Sequence, residues 1–222
     1  MENKPTISGI VNTALRLVYT RRVEMLKSML IPFALLSGLD YASEQEMSFA
    51  LNITISLLSL ATYTYFAVII HRIVLLGPDS IQKWGVPAWS KRETYFFFHL
   101  FALILLSLII IFLFAIIPQT GIFLGYIVLT YLFMRLSLVF PASAIDEGVT
   151  FKISWQMTKK HQIVMLYIAI LLPLVLLLPA YFVAEISSIY LISSVIDTVA
   201  AVIGVSFLSI AYRQIKLYEY SS

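Results

Sequence analysis

The sequence predicts an all-α integral membrane protein, and three observations carry that prediction. The chain is 60% hydrophobic and 12% charged, with a mean hydropathy of +0.93, which leaves too little polar surface to coat a soluble domain. Its apolar runs are long enough to cross a hydrocarbon core, a task that takes roughly twenty helical residues at about 1.5 Å each. None of its fifteen Lys and Arg residues falls in the segments expected as outward loops, which are Asp40 to Ser48, Pro118 to Thr120 and Glu185 to Ser188. The charges there are Asp40, Glu44, Glu46 and Glu185, an asymmetry that is the positive-inside signature.

Six spans are expected, over residues 23–40, 49–76, 95–117, 121–140, 163–184 and 189–212. They form three helical hairpins in one polytopic domain, 1–222, with both termini on the basic side, the cytoplasmic side of a bacterial inner membrane. The first span is the weakest, because Glu24 and Lys27 stand near its start and Pro32 interrupts it. Ahead of it, Ile7, Ile10, Val11, Ala14, Leu15 and Val18 recur at helical spacing opposite Ser8, Asn12, Thr13 and Arg16, the pattern of an amphipathic helix in the interface. No compact apolar region with a small-residue cleavage site precedes the first span, so a cleavable signal peptide is not expected.

Basic clusters recur before the odd-numbered spans: Thr20-Arg21-Arg22, Ser90-Lys91-Arg92 and Thr158-Lys159-Lys160, spaced 70 and then 68 residues apart. Each even-numbered span ends in an arginine, Arg72, Arg135 or Arg213. Three pseudo-repeats, 6–76, 77–140 and 141–215, are one reading of this periodicity; inward loops that simply collect basic residues are the other. The second surface stretch is broken by Gly85 and Pro87 but offers Trp84 and Trp89 as interfacial anchors. The third has Ile145, Val149, Ile153 and Met157, with Trp155 nearby. Alternation over 149–157 also suits a strand, but an isolated strand beside a bilayer has unpaired edges, so a helix is expected.

Two polar groups inside spans are candidates for function. Arg135 opens the segment to Asp146 and stands several residues before Pro141, where the span should end. A buried guanidinium needs a partner, which Asp146, Glu147, Asp79 or a lipid phosphate could supply; snorkelling is the alternative, and Arg72 has the same ambiguity. Asp197 is the acid deepest in a span, and Asn52, Ser56, Ser59 and Tyr63 form a stripe on the second span that could hydrogen-bond to it. Either a clasp between helices or a proton or cation path fits that cluster. Ser193, Ala201 and Gly204 would let the neighbour approach, and Gly121 and Gly125 favour close packing at the start of the fourth span. Pro173 and Pro179 should bend the fifth.

Zero cysteines exclude disulfides and thiolate chemistry. His71, His99 and His161 lack metal-ligand spacing, no glycine-rich phosphate loop is present, and no nucleophile or carboxylate pair marks an enzyme, so no cofactor is expected. The net charge of +3 gathers where anionic headgroups lie and points to lipids and membrane proteins as partners rather than nucleic acid.

His71-Arg72, the Arg135 to Asp146 segment and Ser154-Trp155 followed by Thr158-Lys159-Lys160 together resemble the YciC-like family of small bacterial six-span membrane proteins. That family includes the membrane domain preceding some glycerophosphodiester phosphodiesterases. The resemblance covers nearly the whole chain and implies a non-enzymatic role in envelope integrity or in assisting a membrane partner. Lipid-ester hydrolysis is not implied, since no residues remain for a phosphodiesterase domain. The mitochondrial-carrier signature is missing after Pro32, Pro118 and Pro173. The competing expectation is a transport subunit, either the permease of an ATP-driven exporter or a small channel.

Overall fold

A computed structural model describes residues 4–45, 48–81, 89–186 and 190–221. Expectations that rest on Glu46, Trp84, Gly85, Pro87, Ser187 or Ser188 lie outside those residues. The described chain is all helical: α1 (Ile7–Thr20), α2 (Arg22–Ser43), α3 (Phe49–Leu76), α4 (Lys91–Ala115), α5 (Gly121–Leu136), α6 (Val139–Ala144), α7 (Phe151–Thr158), α8 (Gln162–Leu166), α9 (Leu172–Ile186) and α10 (Tyr190–Ser221). A 3₁₀ turn, Pro78–Ser80, follows α3, and a π-helical turn, Tyr167–Leu171, joins α8 to α9.

Among the described residues, five helical stretches are long and apolar enough to cross a membrane: Phe49–Leu76, Lys91–Ala115, Gly121–Ala144, Gln162–Val183 and Ile192–Tyr220. The helix expected as the first span, α2, is not among them, because Arg22, Glu24, Lys27 and Asp40 fall within its 22 residues. Pro32 sits inside α2 without ending it.

Local chemistry accounts for the ends. Ser90 and Glu93 form a capping box that starts α4, satisfying two of its orphan amides reciprocally. Gly77 closes α3 at φ 102°, a left-handed conformation that glycine adopts without steric cost, and its N–H reaches the carbonyls of Arg72 and Ile73. Helix α5, the segment expected as the fourth span, does not run to Pro141 as expected. It breaks earlier, at Ser137 and Leu138, and Pro141 falls in the first turn of α6, where its missing N–H removes no bond. The π-turn lies one turn ahead of Pro173, and the Leu172 N–H reaches back to the Tyr167 carbonyl. A proline ring crowds the carbonyl four residues earlier, and the wider turn relieves it. Of the 149–157 region, expected as a helix, Phe151 onward is helical in α7, while Val149 and the extended N-cap Thr150 precede it.

Neighbours in sequence pack in space: α2 on α3, α4 on α5 and α9 on α10, while α1 lies against α10. The stripe of α1 that was expected to face acyl chains instead covers protein, with Ile10 and Ala14 buried in the core. Packing is concentrated toward the ends that carry Arg72, Arg135 and Arg213. On α3 the buried residues run from Thr64 to Val74, whereas Phe49, Leu51, Ile53 and Leu57 nearer its start are exposed. On α10 the same holds, since Phe207, Ile210, Ala211 and Ile215 are buried while Ile192, Val195 and Val199 are not. Lipid is as apolar as leucine, so this half is held by close fit and polar ties rather than by a hydrophobic drive between helices.

Candidate functional site

The break after α5 builds the first part of the site. With helical bonding interrupted at Ser137, the Arg135 carbonyl lacks its usual N–H donor one turn on, and α7 supplies donors instead: Ser154 Oγ donates to it at 2.9 Å and Thr158 Oγ1 at 3.2 Å. The Arg135 side chain turns to the same helix. Its Nη2 donates to the Trp155 carbonyl at 2.5 Å, and the guanidinium carbon lies 4.5 Å over the Trp155 ring, which Tyr131 meets edge-on at 5.7 Å. This is cation–π contact in a site where water is excluded, for Arg135 is only 1% exposed. Its Nε and Nη1 have no partner among the described residues. The acids expected to neutralise Arg135 do not, since each is engaged elsewhere or stands apart.

Asp146 pairs with Arg72 and Arg92, both at 3.2 Å. It ends α6 at φ 61°, a left-handed position that Asp tolerates better than most residues, and the turn aims its carboxylate back at α3 and α4. Arg72 also donates to the Ser80 and Ala144 carbonyls, each at 3.1 Å. Arg92 Nε donates to Glu93 at 2.8 Å, so the capping carboxylate of α4 is also an ion-pair partner. Arg72, Asp79, Ser80, Arg92 and Glu93 border a cavity of about 290 Å³. Glu147 takes a third set, accepting from Lys216 at 2.5 Å and from the Tyr212 hydroxyl. Arg21 donates to the Ile73 carbonyl at the end of α3, where the helix dipole favours a cation.

Histidines serve the same belt. His71 Nδ1 and Ser209 Oγ lie 2.7 Å apart between α3 and α10. His161 stands 3.4 Å from Glu219; burial lowers its pKa below the ordinary value and the Glu219 carboxylate opposes that shift. No group of three or more His, Asp or Glu residues suited to a metal occurs among the described residues.

At the other end, Asp197 borders a cavity of about 280 Å³ together with Asp40, Tyr63, Ser193, Ser194 and Thr198. Ser37 and Ser194 meet at 3.0 Å beside it. Of the expected stripe, Tyr63 lines this cavity. Asn52 and Ser56 lie exposed nearer the start of α3, where the Ser56 hydroxyl bonds the Asn52 carbonyl at 2.8 Å, and Ser59 is half-buried outside the lining.

No protein-family model, curated protein or solved structure matches this chain.

Glycines set how closely two pairs of helices approach. A Cβ on Gly121 would stand 1.9 Å from the Phe114 carbonyl oxygen, and one on Gly125 would meet Phe114 Cβ at 3.2 Å. The pair therefore joins α5 to α4 within the chain. Gly204 faces Pro173 at 3.8 Å, so the neighbour it admits is α9 and not α3. Arg213, expected at a span end, lies inside α10, which runs on to Ser221. Among the groups that pair, Glu93 was missed although the Ser90-x-x-Glu93 spacing is a signal that could have found it, whereas Arg92, Lys216 and Tyr212 join through contacts that no local pattern announces.

Proposed function

We propose that this chain is a non-enzymatic accessory or envelope-organising protein of a bacterial inner membrane, working through anionic lipids and membrane-protein partners. Six spans in three hairpins place both termini in the cytoplasm, with α2 as the least apolar span and α1 and α7 at the headgroup level. The YciC-like resemblance fits this reading, because its residues, Arg72, Arg135, Asp146, Ser154, Trp155 and Thr158, are the ones that tie α3, α5, α6 and α7 together.

One observation carries the reading. At the basic end Glu93, Asp146, Glu147 and Glu219 are all engaged in ion pairs within the fold, while Arg16, Arg22, Lys91, Lys152 and Lys159 stay exposed. Internal pairing of these four acids, with Glu24 and Asp79 the described acids of that end outside the ion pairs, leaves a net positive face, which attracts anionic headgroups at about 1 kcal/mol per basic residue near the surface. Chemistry on a substrate would instead need reactive groups left convergent and available.

The second reading, a transport subunit, draws on the acid-lined cavity around Asp40 and Asp197. A pull-down of the intact protein in lipid nanodiscs, with mass spectrometry of both proteins and lipids, separates the two. The expected outcome is enrichment of anionic lipid with a membrane partner that lacks nucleotide-binding motifs. Recovery of a stoichiometric nucleotide-binding subunit would overturn the accessory reading and make the chain a permease.

A further inference from the structure

Between α2 and α10 runs an apolar groove of about 380 Å³. Its α2 wall is Met25, Leu26, Met29, Leu30 and Phe33, and its α10 wall centres on Val199 and Ile203. Leu26 is 69% and Leu30 59% exposed. The one hydroxyl in the lining, on Thr198, already donates to the Ser194 carbonyl of its own helix at 2.8 Å, so the walls offer a ligand no polar group. The mouth is different in kind. Arg22 lines it, exposed, using one N–H on the Tyr19 carbonyl at 2.7 Å and lying 4.5 Å over the Tyr19 ring. No ion pair engages Arg22 among the described residues. A guanidinium has five donors, so most of its fork is available at the head of an apolar slot.

We propose that this groove holds one acyl chain of an anionic phospholipid whose phosphate accepts hydrogen bonds from Arg22. The inference rests on the accessory reading, in which the basic end lies at the headgroups. Charge and dimensions both select this occupant. From Arg22 to Phe33 is eleven residues, or about 16 Å at helical rise, which is close to one leaflet of a hydrocarbon core about 30 Å thick. An alkyl chain fits the slot, needs no hydrogen bond from its walls, and ends in the group that a guanidinium recognises bidentately. Arg22 is thereby a lipid-binding residue, whereas Arg21 one position earlier is a structural one that caps α3.

The test uses the full chain in nanodiscs of equimolar phosphatidylglycerol and phosphatidylcholine, followed by native mass spectrometry of the lipid retained after gentle detergent release. Wild type is expected to keep one phosphatidylglycerol in preference to phosphatidylcholine. Arg22→Gln should lower that preference about tenfold, as loss of a charge-assisted bond implies, and Arg22→Lys should restore part of it. Leu30→Trp fills the slot and should lose both lipids, while Leu35→Trp, an exposed site of the same helix outside the lining, should retain them and controls for folding. No headgroup preference in wild type, or retention that ignores both Arg22→Gln and Leu30→Trp, overturns the proposal. So does a dimer that Leu30→Trp dissociates, since a second copy would then fill the groove. The accessory reading is scored separately, by partner recovery in the pull-down: lipid retained here with no partner there counts against that reading alone, and a partner there with no headgroup preference here counts against the groove alone.

Discussion

Arg135 is a buried guanidinium two of whose nitrogens have no partner among the described residues, and its neighbours hold it by one backbone acceptor and one aromatic face. Burying a charge without full pairing costs several kcal/mol, and an apolar residue of similar volume at such a position is often neutral or stabilising. Arg135→Met is therefore expected to match or exceed wild-type stability by about 1 kcal/mol, and Arg135→Lys to lose about 1–3 kcal/mol, since a lysine keeps the charge and forfeits the planar stack. Thermal unfolding in detergent, followed by circular dichroism, gives the order. Ser154 and Thr158 bind the backbone carbonyl of Arg135, which neither substitution removes, so the comparison isolates the guanidinium. The reverse order, with Met the least stable, would show that the two unpartnered nitrogens find an acceptor outside the chain and would move Arg135 from positioning to recognition.

At the scale of elements, the tightest junction is the turn from α4 into α5, where Gly121 leaves no room for a methyl group against the Phe114 carbonyl. Gly121→Ala is expected to destabilise the protein by about 1–3 kcal/mol, because backbone cannot yield as a side-chain tip can. Gly38→Ala, inside α2 with open space around it, should be neutral or stabilise by about 0.4–1 kcal/mol through the helix preference for alanine. A fall in melting temperature for Gly38→Ala equal to that for Gly121→Ala would refute the close-contact account. The glycine pair was legible in the sequence because small residues four apart have few other uses in a span. Its location was not, since the same spacing serves contacts between copies. The end of α5 was misread at Pro141 because a proline reads alike as a terminator and as a first-turn residue. The partners of Asp197 and Asp146 depend on which helix faces which, and side-chain periodicity does not encode that. Helix identity survived these errors because long apolar runs have no other stable form in lipid.

For the whole molecule, the distribution of charge and the depth of packing point the same way. The core and the ion pairs gather toward the basic end, and the opposite ends of α3 and α10 expose apolar side chains. One element decides whether that asymmetry means five crossings or six. In α2 the uncharged stretch runs only from Ser28 to Leu39, about 18 Å at helical rise against a core of about 30 Å. Crossing is still feasible if Lys27 and Arg22 reach back to the headgroups by snorkelling, and the position of α2 against α3 favours it. The chain contains no cysteine, so single introduced cysteines report topology without background. Ser8→Cys, Gly148→Cys, Ser43→Cys and Gln119→Cys all fall at exposed positions. With six crossings, a membrane-impermeant maleimide added to intact cells should label Ser43→Cys and Gln119→Cys, and should reach Ser8→Cys and Gly148→Cys only after lysis. If α2 does not cross, Ser8→Cys and Ser43→Cys share a side and label together. In that case α1 and α2 both belong to one face, the groove beside Arg22 no longer runs along a leaflet, and the positive-inside argument rests on five spans with the termini on opposite sides.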